Sequence, residues 1–562
     1  MANKKVLLGL MPYWDPLIPP VGVATLKSYV EPHGFEVSTY DLIVEKVFQD
    51  LYNSYFTLME EIVPEDNRGN FYNMGHNVLQ DHMMAHINKT DERDYLDLVR
   101  MIIACEFSIQ AQEGRILELN AIIADMFVNL EERMSAVLDR EAPDVLGLTC
   151  YKGTLPASLF VFRLAKKKNP GILTVMGGSV FSTTLTMDSP NYQMILDETE
   201  PYVDKIIIGE GEILFLKLLK GELPQDQRVF SIRQMGIPGL ELKNAKLPDY
   251  SQVDVKLYPY MAYTGSVSCP FSCSFCNSKI YWGKYRKKDG AQMVREMKHL
   301  YETYGNQLFY LSDALLNPVI DDLSRRFAED DISLYYDGFH RVDDASCNVE
   351  NTLRWRRGGL YRVRMGVESG SEHVLHLMGK KISLDQTRAS LSALAYAGIK
   401  TTTYWVIGHP GETEEDFQKT LDMVKELKND IYQAEPTPLE YVYSGQSSSD
   451  DWSDKRKMAF PEQLSRDMLI SYNWVLDCDP SRDVVLERIY RFDRQCRELG
   501  IPNPYSLQEH YEADERWARL HKNAVPSLLK FYNREAYIDE NKDINVVSLV
   551  ENTREDDGDF CF

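Results

Sequence analysis

The sequence predicts an α/β protein of several domains: a Rossmann-like domain with a helical insertion, a partial (β/α)6 TIM-like barrel and a helical C-terminal domain. Three observations support this class. The chain of 562 residues is too long for one hydrophobic core. Its first part alternates strand and helix signals in the order β-loop-α-β. A later part repeats helix and strand signals about every 30 residues, which is the length of one βα unit.

The Rossmann-like part is predicted for residues 1–220. The apolar run Lys5–Leu10 is typical of a strand buried on both faces. A helix follows from Val21 to near Gly34, and residues 36–42 form the next strand. After the insertion the alternation resumes, with strands at 144–151, 172–179 and 205–209 and with helices at 156–168 and beyond 212. In such open sheets, ligands bind at the carboxyl ends of the strands.

The helical insertion covers about residues 43–140, which are rich in Met, Leu and Glu. His82 and His86 stand four residues apart on one side of a helix, a spacing that two metal ligands can use. With no third ligand in view, we interpret them as packing or surface residues.

Residues 221–255 contain three prolines without a sustained period, which indicates a linker. The barrel is predicted for 256–445, with strands near 308–311, 333–336, 361–367 and 401–407 and functional groups at the strand ends. Ser383 and Gln386 have the spacing of a capping box. Residues 446–562 predict amphipathic helices that cap the barrel mouth and shape the substrate pocket, followed by an acidic tail.

The composition excludes several classes of protein. A formal charge of −23 disfavours binding to nucleic acid or to anionic membranes. The nine cysteines do not suggest a secreted disulfide framework, and the N-terminal apolar run is too short for a signal peptide or a membrane span. We therefore expect a protein of the reducing cytoplasm, without nucleic acid or membrane partners.

One loop carries the strongest chemical signal. Cys269, Cys273 and Cys276 are spaced C-x3-C-x2-C, and thiolates are the usual ligands of iron–sulfur clusters. Three thiols can hold three irons of a [4Fe–4S] cubane and leave the fourth open for a substrate. The alternative is a trio of buried or zinc-binding cysteines.

This motif, with Phe275 before its last cysteine, resembles the signature of the radical S-adenosylmethionine (SAM) enzymes. The resemblance implies that the three cysteines bind the [4Fe–4S] cluster, that SAM chelates the open iron, and that Phe275 lies near the adenine. It further implies that the cluster donates an electron to SAM, which then yields a 5′-deoxyadenosyl radical.

Later segments resemble the SAM-binding motifs of the same family. Ser312 and Asp313 follow the second barrel strand, where the family contacts the amino group of SAM, and Asp313 with Asn317 resembles a D-x-x-x-N variant. Other implied SAM contacts belong to the motifs after the fourth and fifth strands: Glu368, Ser369, Ile407 and Gly408.

The Rossmann-like part resembles, in the order and position of its turns, the cobalamin-binding domain that precedes the barrel in one subclass. None of its turns reads G-x-G-x-x-G, so a dinucleotide site is weakly supported. The D-x-H-x-x-G sequence of other cobalamin proteins is absent, and we look to the loop around Tyr151 and Lys152 for the group that covers the lower face. The implied cobalamin contacts are Pro20, Gly22, Thr149, Tyr151, Lys152, Gly177, Gly178, Ser179, Glu210 and Gly211. The alternative is a domain that binds nothing or only docks on the barrel.

Taken together, the resemblance implies a cobalamin-dependent radical SAM methyltransferase that uses methylcobalamin and acts on an unactivated carbon of a peptide or small-molecule natural product. A flavodoxin- or ferredoxin-type protein is the expected electron donor. A second hypothesis keeps the cofactors but replaces methylation with cyclisation, ring contraction or rearrangement. A third is a non-catalytic cluster protein or cobalamin-binding regulator. Methylthiolation of tRNA is disfavoured, because the chain is acidic and has no second cysteine trio.

Overall fold

The computed structural model describes residues 4–12, 17–329, 334–503 and 507–531. The acidic tail expected at the C-terminus lies outside the described residues. Within the described ranges, no helix is both long and apolar enough to cross a membrane.

The N-terminal part is built on a sheet of parallel strands in the order β2-β1-β3-β4-β5-β6. The strands are β1 Lys5–Leu10, β2 Glu36–Asp41, β3 Val145–Thr149, β4 Leu173–Gly177, β5 Lys205–Ile208 and β6 Val229–Ser231. The helices of this part are α1 Val21–Val30, α2 Lys46–Ile62, α3 Phe71–Asn88, α4 Glu92–Phe107, α5 Glu113–Glu141, α6 Leu155–Lys168, α7 Pro190–Thr199 and α8 Glu212–Lys220. This confirms the predicted Rossmann-like alternation.

Strands β1 and β3 occupy the middle of this sheet and are buried on both faces. Val6 pairs with Val145 and Leu7 with Leu146, and none of these side chains is more than 1% exposed. A continuous apolar run is therefore the expected sequence pattern, because both faces pack against helices.

The insertion α2–α5 shares one hydrophobic core with the sheet and α6. His82 is buried, and its ring nitrogens form hydrogen bonds with the hydroxyls of Tyr55 (3.0 Å) and Tyr95 (2.7 Å). His86 stacks on Phe127, with ring centroids 5.6 Å apart. Both histidines therefore have packing roles, as interpreted from the sequence.

The segment 221–255 is more structured than the predicted linker. It contains β6, which pairs with β5 through Ile206 and Val229 and completes the first sheet. Three residues are too few to show an apolar period, which explains why the sequence did not reveal this strand.

The second sheet forms an incomplete barrel of parallel strands in the order β14-β13-β12-β11-β10-β7. These strands are β7 Met261–Tyr263, β10 Leu308–Leu311, β11 Tyr335–His340, β12 Leu360–Glu368, β13 Lys400–Ile407 and β14 Gln433–Pro438, and a small hairpin is formed by β8 Ser266–Val267 and β9 Arg286–Lys287. The helices are α9 Ser278–Trp282, α10 Gly290–Tyr304, α11 Ile320–Ala328, α12 Val349–Arg357, α13 Glu372–Leu377, α14 Leu384–Tyr396 and α15 Glu414–Glu426. The predicted capping box of Ser383 and Gln386 is present at the start of α14.

The C-terminal part contains both helices and a short hairpin: β15 Arg456–Met458, α16 Glu462–Leu464, β16 Trp474–Leu476, α17 Arg482–Glu498 and α18 Leu507–Leu520. Residues 439–480 lie at the carboxyl ends of the barrel strands, where several of them line a cavity. The last described segment lies at the opposite end. Asp514 of α18 forms a buried ion pair with Lys400 at the start of β13, and the Val525 amide donates to the Gly398 carbonyl at 3.1 Å. This segment therefore closes the floor of the barrel.

Candidate active site

The cysteine loop spans residues 268–277, between β8 and α9. Cys273 is buried, while Cys269 and Cys276 are half-buried. Burial raises the pKa of the Cys269 thiol, and the neighbouring Cys276 and Cys273 raise it further, whereas Arg341 lowers it. The three thiols therefore lie within electrostatic reach of one another.

Hydrogen bonds from distant segments fix the backbone of this loop. Ser447 donates its hydroxyl to the Cys273 carbonyl (2.5 Å), and Gln446 donates its amide to the Phe275 carbonyl (2.8 Å). The Ser274 amide donates to the carbonyl of Met378 (2.9 Å). These bonds from distant segments hold the backbone between Cys273 and Cys276.

The donor set fits an iron–sulfur cluster. It consists of thiols alone, and in a cubane each thiolate binds a different iron. No three His, Cys, Asp or Glu side chains in the described ranges gather closely enough for a single metal ion. If a cluster is held here, its protein ligands are Cys269, Cys273 and Cys276.

A cation that the sequence did not single out lies beside this loop. Arg341 follows β11 and is 8% exposed. Its Nη1 donates to Cys273 Sγ at 3.8 Å, and its guanidinium stacks on the ring of Phe271 at 4.1 Å. Its position at the carboxyl end of a barrel strand was the only available signal.

The D-x-x-x-N segment supports this cation and the first barrel strand. Asn317 binds the backbone of Arg341 on both sides, accepting from its amide (2.9 Å) and donating to its carbonyl (2.7 Å). Asp313 is fully buried and accepts from the Gly265 amide at 2.9 Å. Burial raises the pKa of Asp313 to about 6. In this structure both residues brace loops at the barrel mouth.

The remaining SAM candidates do not lie in one place. Ser312 bonds to the Thr264 hydroxyl (2.7 Å), and both residues line a cavity between the two sheets. Phe275 and Gly408 line a second cavity together. Ile407 is fully buried in the barrel core.

Glu368 and Ser369 follow β12 in a tightly packed turn. Glu368 has a φ of 69°, and its buried carboxylate accepts from Lys380 Nζ at 2.5 Å. Ser369 is buried and bonds to the Thr420 hydroxyl at 3.2 Å. Lys380 belongs to no sequence motif, yet its ammonium fixes the position of the Glu368 carboxylate.

The first cavity measures about 440 Å³ and lies at the carboxyl ends of β1, β3, β4 and β5. The proposed cobalamin contacts that line it are Gly22, Thr149, Tyr151, Gly177, Gly178, Ser179, Glu210 and Gly211. Pro20 precedes α1 outside the lining, and Lys152 lines the second cavity instead. The structure thus brings together eight of the ten predicted residues.

The floor of the first cavity suits a large ligand that approaches the backbone. Gly178 has a φ of 111°, and a Cβ there would lie 2.3 Å from the Cys150 carbonyl oxygen. At Gly22 and Gly211, a Cβ would have no neighbour closer than 3.8 Å and would fill part of the cavity wall. These glycines fit a cradle for the cobalamin that the fold implies.

Glu210 also joins the two domains. Its carboxylate pairs with Arg286 of the β8–β9 hairpin and accepts from the Leu240 amide at 3.0 Å. The ion pair holds the strand ends of the first sheet against the hairpin that leads into the cysteine loop.

The second cavity measures about 510 Å³ and is bordered by the insertion, the first sheet, the cysteine loop, the barrel and the C-terminal hairpin. Its walls include Asn77 and Glu106 of the insertion, Lys152 of the first sheet, Cys276 of the cysteine loop and Trp474 of the C-terminal hairpin. The first cavity reaches the start of the same loop at Ser268, the residue before Cys269. Both cavities therefore border the cysteine loop.

Two family models match the chain. Residues 111–219 match the B12 binding domain, and residues 263–424 match the radical SAM superfamily. The chain therefore carries a B12 binding domain followed by a radical SAM domain. These domains imply a [4Fe–4S] cluster, SAM and cobalamin as its cofactors.

Known relatives cover parts of the chain. An anaerobic magnesium-protoporphyrin IX monomethyl ester cyclase of Rubrivivax gelatinosus is 24% identical over 56% of this chain and 60% of its own length. An uncharacterised methyltransferase of Pyrococcus horikoshii is 26% identical over 53% of this chain and 68% of its own. The chain thus spans about three fifths to two thirds of these two curated relatives.

The overall fold is also that of a solved structure. The radical SAM methyltransferase TsrM of Kitasatospora setae, solved with cobalamin and a [4Fe–4S] cluster, aligns with a TM-score of 0.60 at 12% identity. The alignment covers 99% of this chain and all of that one, so the two share the overall fold.

Proposed function

We propose that the protein is a cobalamin-dependent radical SAM methyltransferase that methylates an unactivated carbon of a peptide or small-molecule natural product. The observation that carries the proposal is the second cavity. Cys276 and Phe275 of the cysteine loop line it together with Lys152, which follows a strand of the B12 binding domain. A substrate there lies against the cysteine loop and against the loop that follows β3 of the B12 binding domain.

The residues divide the work by position. Cys269, Cys273 and Cys276 hold the cluster, Phe275 and Gly408 contact SAM, and the glycine-lined edge of the first sheet holds cobalamin. When bound, the cluster supplies an electron to SAM, and cobalamin supplies the methyl group that the substrate receives. The protein holds these groups on either side of the cysteine loop.

The electron must come from outside the chain. A flavodoxin- or ferredoxin-type protein is the proposed donor, because such proteins deliver single electrons at low potential. Titanium(III) citrate replaces it in the assay below.

A second candidate is a cyclisation or rearrangement without methyl transfer. It is favoured by the similarity to the anaerobic magnesium-protoporphyrin IX monomethyl ester cyclase of Rubrivivax gelatinosus. The two candidates share the cofactors and differ in the products of SAM.

The test is anaerobic reconstitution with iron, sulfide and hydroxocobalamin, followed by product analysis with SAM and candidate peptides or natural-product intermediates. Methyl transfer gives S-adenosylhomocysteine and 5′-deoxyadenosine together with a substrate one methylene heavier. Deoxyadenosine without S-adenosylhomocysteine supports the second candidate. A protein with a full cluster that never cleaves SAM contradicts both.

Two variants make the test specific. Cys273→Ala removes a cluster ligand and abolishes both SAM products. Cys347→Ala is the matched control, because this thiol lines neither cavity and bonds to the Asp343 and Gln386 carbonyls. It keeps both products.

A further inference from the structure

One wall of the second cavity is aromatic. It is formed by residues 439–443 after β14 and by the hairpin strand β16 with its neighbours. Tyr443 and Tyr472 pack against Trp474, with ring centroids 5.1 and 5.6 Å apart. A flat apolar group fits such a wall, since aromatic rings favour offset or edge contacts with one another.

Two polar atoms on this wall have no partner. Tyr441 is 7% exposed, and its hydroxyl forms no hydrogen bond with any described residue; the same holds for the indole nitrogen of Trp474. Buried donors without acceptors are costly and uncommon in folded proteins. An acceptor oxygen on a ligand, such as an amide carbonyl, would satisfy them.

The charged groups of the cavity do not cancel. Its lining contains three carboxylates against two cations: Asp81, Glu106, Glu440, Lys152 and Arg482. Arg482 forms an ion pair with Glu106 at 3.2 Å, so one cation and one carboxylate neutralise each other. Two carboxylates then face one ammonium, so the cavity keeps a surplus of one negative charge.

Glu440 is the carboxylate that remains available. Asp81 accepts from Asn473 (2.8 Å), whereas Glu440 is exposed and forms no ion pair in the part of the chain that the structure describes. The Lys152 ammonium donates to Asn77 at 2.9 Å rather than to a carboxylate. Glu440 precedes Tyr441, so the free charge and the free hydroxyl belong to adjacent residues.

The field in the cavity acts on Lys152. Burial lowers the pKa of this ammonium, but Glu440, Asp81 and Glu106 outweigh burial and leave the pKa raised. A cation in this cavity is therefore stabilised by the surrounding carboxylates.

We propose that the second cavity binds its substrate as an aromatic compound that carries a basic amino group and an amide or similar acceptor. The amino group lies toward Glu440, the acceptor toward Tyr441 and Trp474, and the ring against the aromatic wall. This inference rests on the proposed function, because it names the substrate class of the same site. An aromatic residue at the free N-terminus of a peptide has this chemistry.

The test compares three probes that share the phenylalanine ring and differ in charge: phenylalaninamide, N-acetylphenylalaninamide and N-acetylphenylalanine. Binding to the reconstituted, cofactor-loaded protein is measured by anaerobic equilibrium dialysis. The cation should bind at least about tenfold more tightly than the anion, the neutral probe lying between them. Equal affinities, a preference for the anion, or no binding of any probe to loaded protein would overturn the proposal.

Two substitutions locate the effect. Glu440→Gln should reduce the preference for the cation to less than about threefold, whereas Glu426→Gln, on a surface pair with Arg388, should leave it unchanged. Tyr441→Phe should weaken all three probes and keep their order. Circular dichroism confirms that each variant is folded, and an unchanged preference in folded Glu440→Gln contradicts the assigned role.

The dialysis result separates the two proposals, because it needs no turnover. If the charge preference is found but SAM is never cleaved, the substrate class stands and the methyltransferase proposal fails. If SAM is cleaved with a substrate of another class while the probes show no preference, the reverse holds.

Discussion

The guanidinium of Arg341 is held between two residues of the cysteine loop, 3.8 Å from the sulfur of Cys273 and 4.1 Å from the ring centroid of Phe271. Asn317 fixes the backbone of the same residue from both sides. A buried cation is thereby placed beside a thiol that we propose as a ligand of an anionic cluster. Nearby positive charge and hydrogen bonds to sulfur are among the factors that set cluster potentials.

Replacing Arg341 should make the cluster harder to reduce. Arg341→Gln removes a charge that favours the reduced, more negative state, and the midpoint potential should fall by about 60 mV, the one-electron equivalent of one charge-assisted hydrogen bond. A redox titration followed by electron paramagnetic resonance measures this. Arg388→Gln on the surface should leave the potential unchanged, and an equal or higher potential in Arg341→Gln would contradict the role.

Gly178 should tolerate no side chain. In Gly178→Ala, the Cβ would lie 2.3 Å from the Cys150 carbonyl oxygen at a left-handed φ, so the backbone must move and stability should fall by about 2–4 kcal/mol. Cobalamin content after reconstitution should fall with it. The comparison is Gly34→Ala, which has a φ of 87° but nothing within 4 Å and should cost about 1 kcal/mol. Equal losses in both variants would show that the contact with Cys150 is unimportant.

Replacing Lys380 alone should destabilise the protein more than replacing both members of the buried pair Glu368 and Lys380. Lys380→Met leaves an unpaired buried carboxylate and should cost about 3–5 kcal/mol. Adding Glu368→Gln removes that charge, so the double variant should regain most of the stability in thermal denaturation. If the pair also positions SAM, as the family motif implies, the stable double variant should still bind SAM poorly. Full SAM binding by the double variant would make the pair purely structural.

Asp313 should make stability depend on pH. Because its folded pKa of about 6 lies above the usual 3.8, the folded state holds the proton more tightly. The protonated Asp313 carboxyl contributes fully to folding stability below pH 4, and this contribution is lost as pH rises through 6. The loss is at most about 3 kcal/mol. In thermal denaturation between pH 5 and 7.5, the stability of Asp313→Asn relative to the wild type should therefore increase as pH rises. Exposed Asp385 supplies the control, since Asp385→Asn should follow the wild type throughout.

The sequence predicted the elements whose patterns arise locally. Strands β1 and β3 read as apolar runs because both of their faces are buried, and the insertion showed its helical character directly. Strand β14, Gln433–Pro438, was missed because it contains two prolines and mostly polar side chains. Its position at the sheet edge, paired only with β13, tolerates both.

The site could be predicted from the sequence only where its residues form a local motif. The three cysteines and the glycine turns are local motifs, and most of the predicted cobalamin contacts do line the first cavity. Arg341 meets Cys273 across 68 positions, and Gln446 reaches Phe275 across 171. Partners so distant leave no local period or spacing, because their contact is created by the fold itself.

The floor of the barrel can be completed only late in synthesis, because it depends on the last described residues. A ribosome releases the N-terminal sheet and all barrel strands before residues 507–531, yet those residues neutralise the buried Lys400 and cover Gly398, where an added Cβ would lie 1.9 Å from the Asn523 carbonyl oxygen. Until those residues are synthesised, the barrel floor is uncovered and the Lys400 ammonium lacks its carboxylate partner. A fragment that ends at residue 445 would lack these contacts permanently.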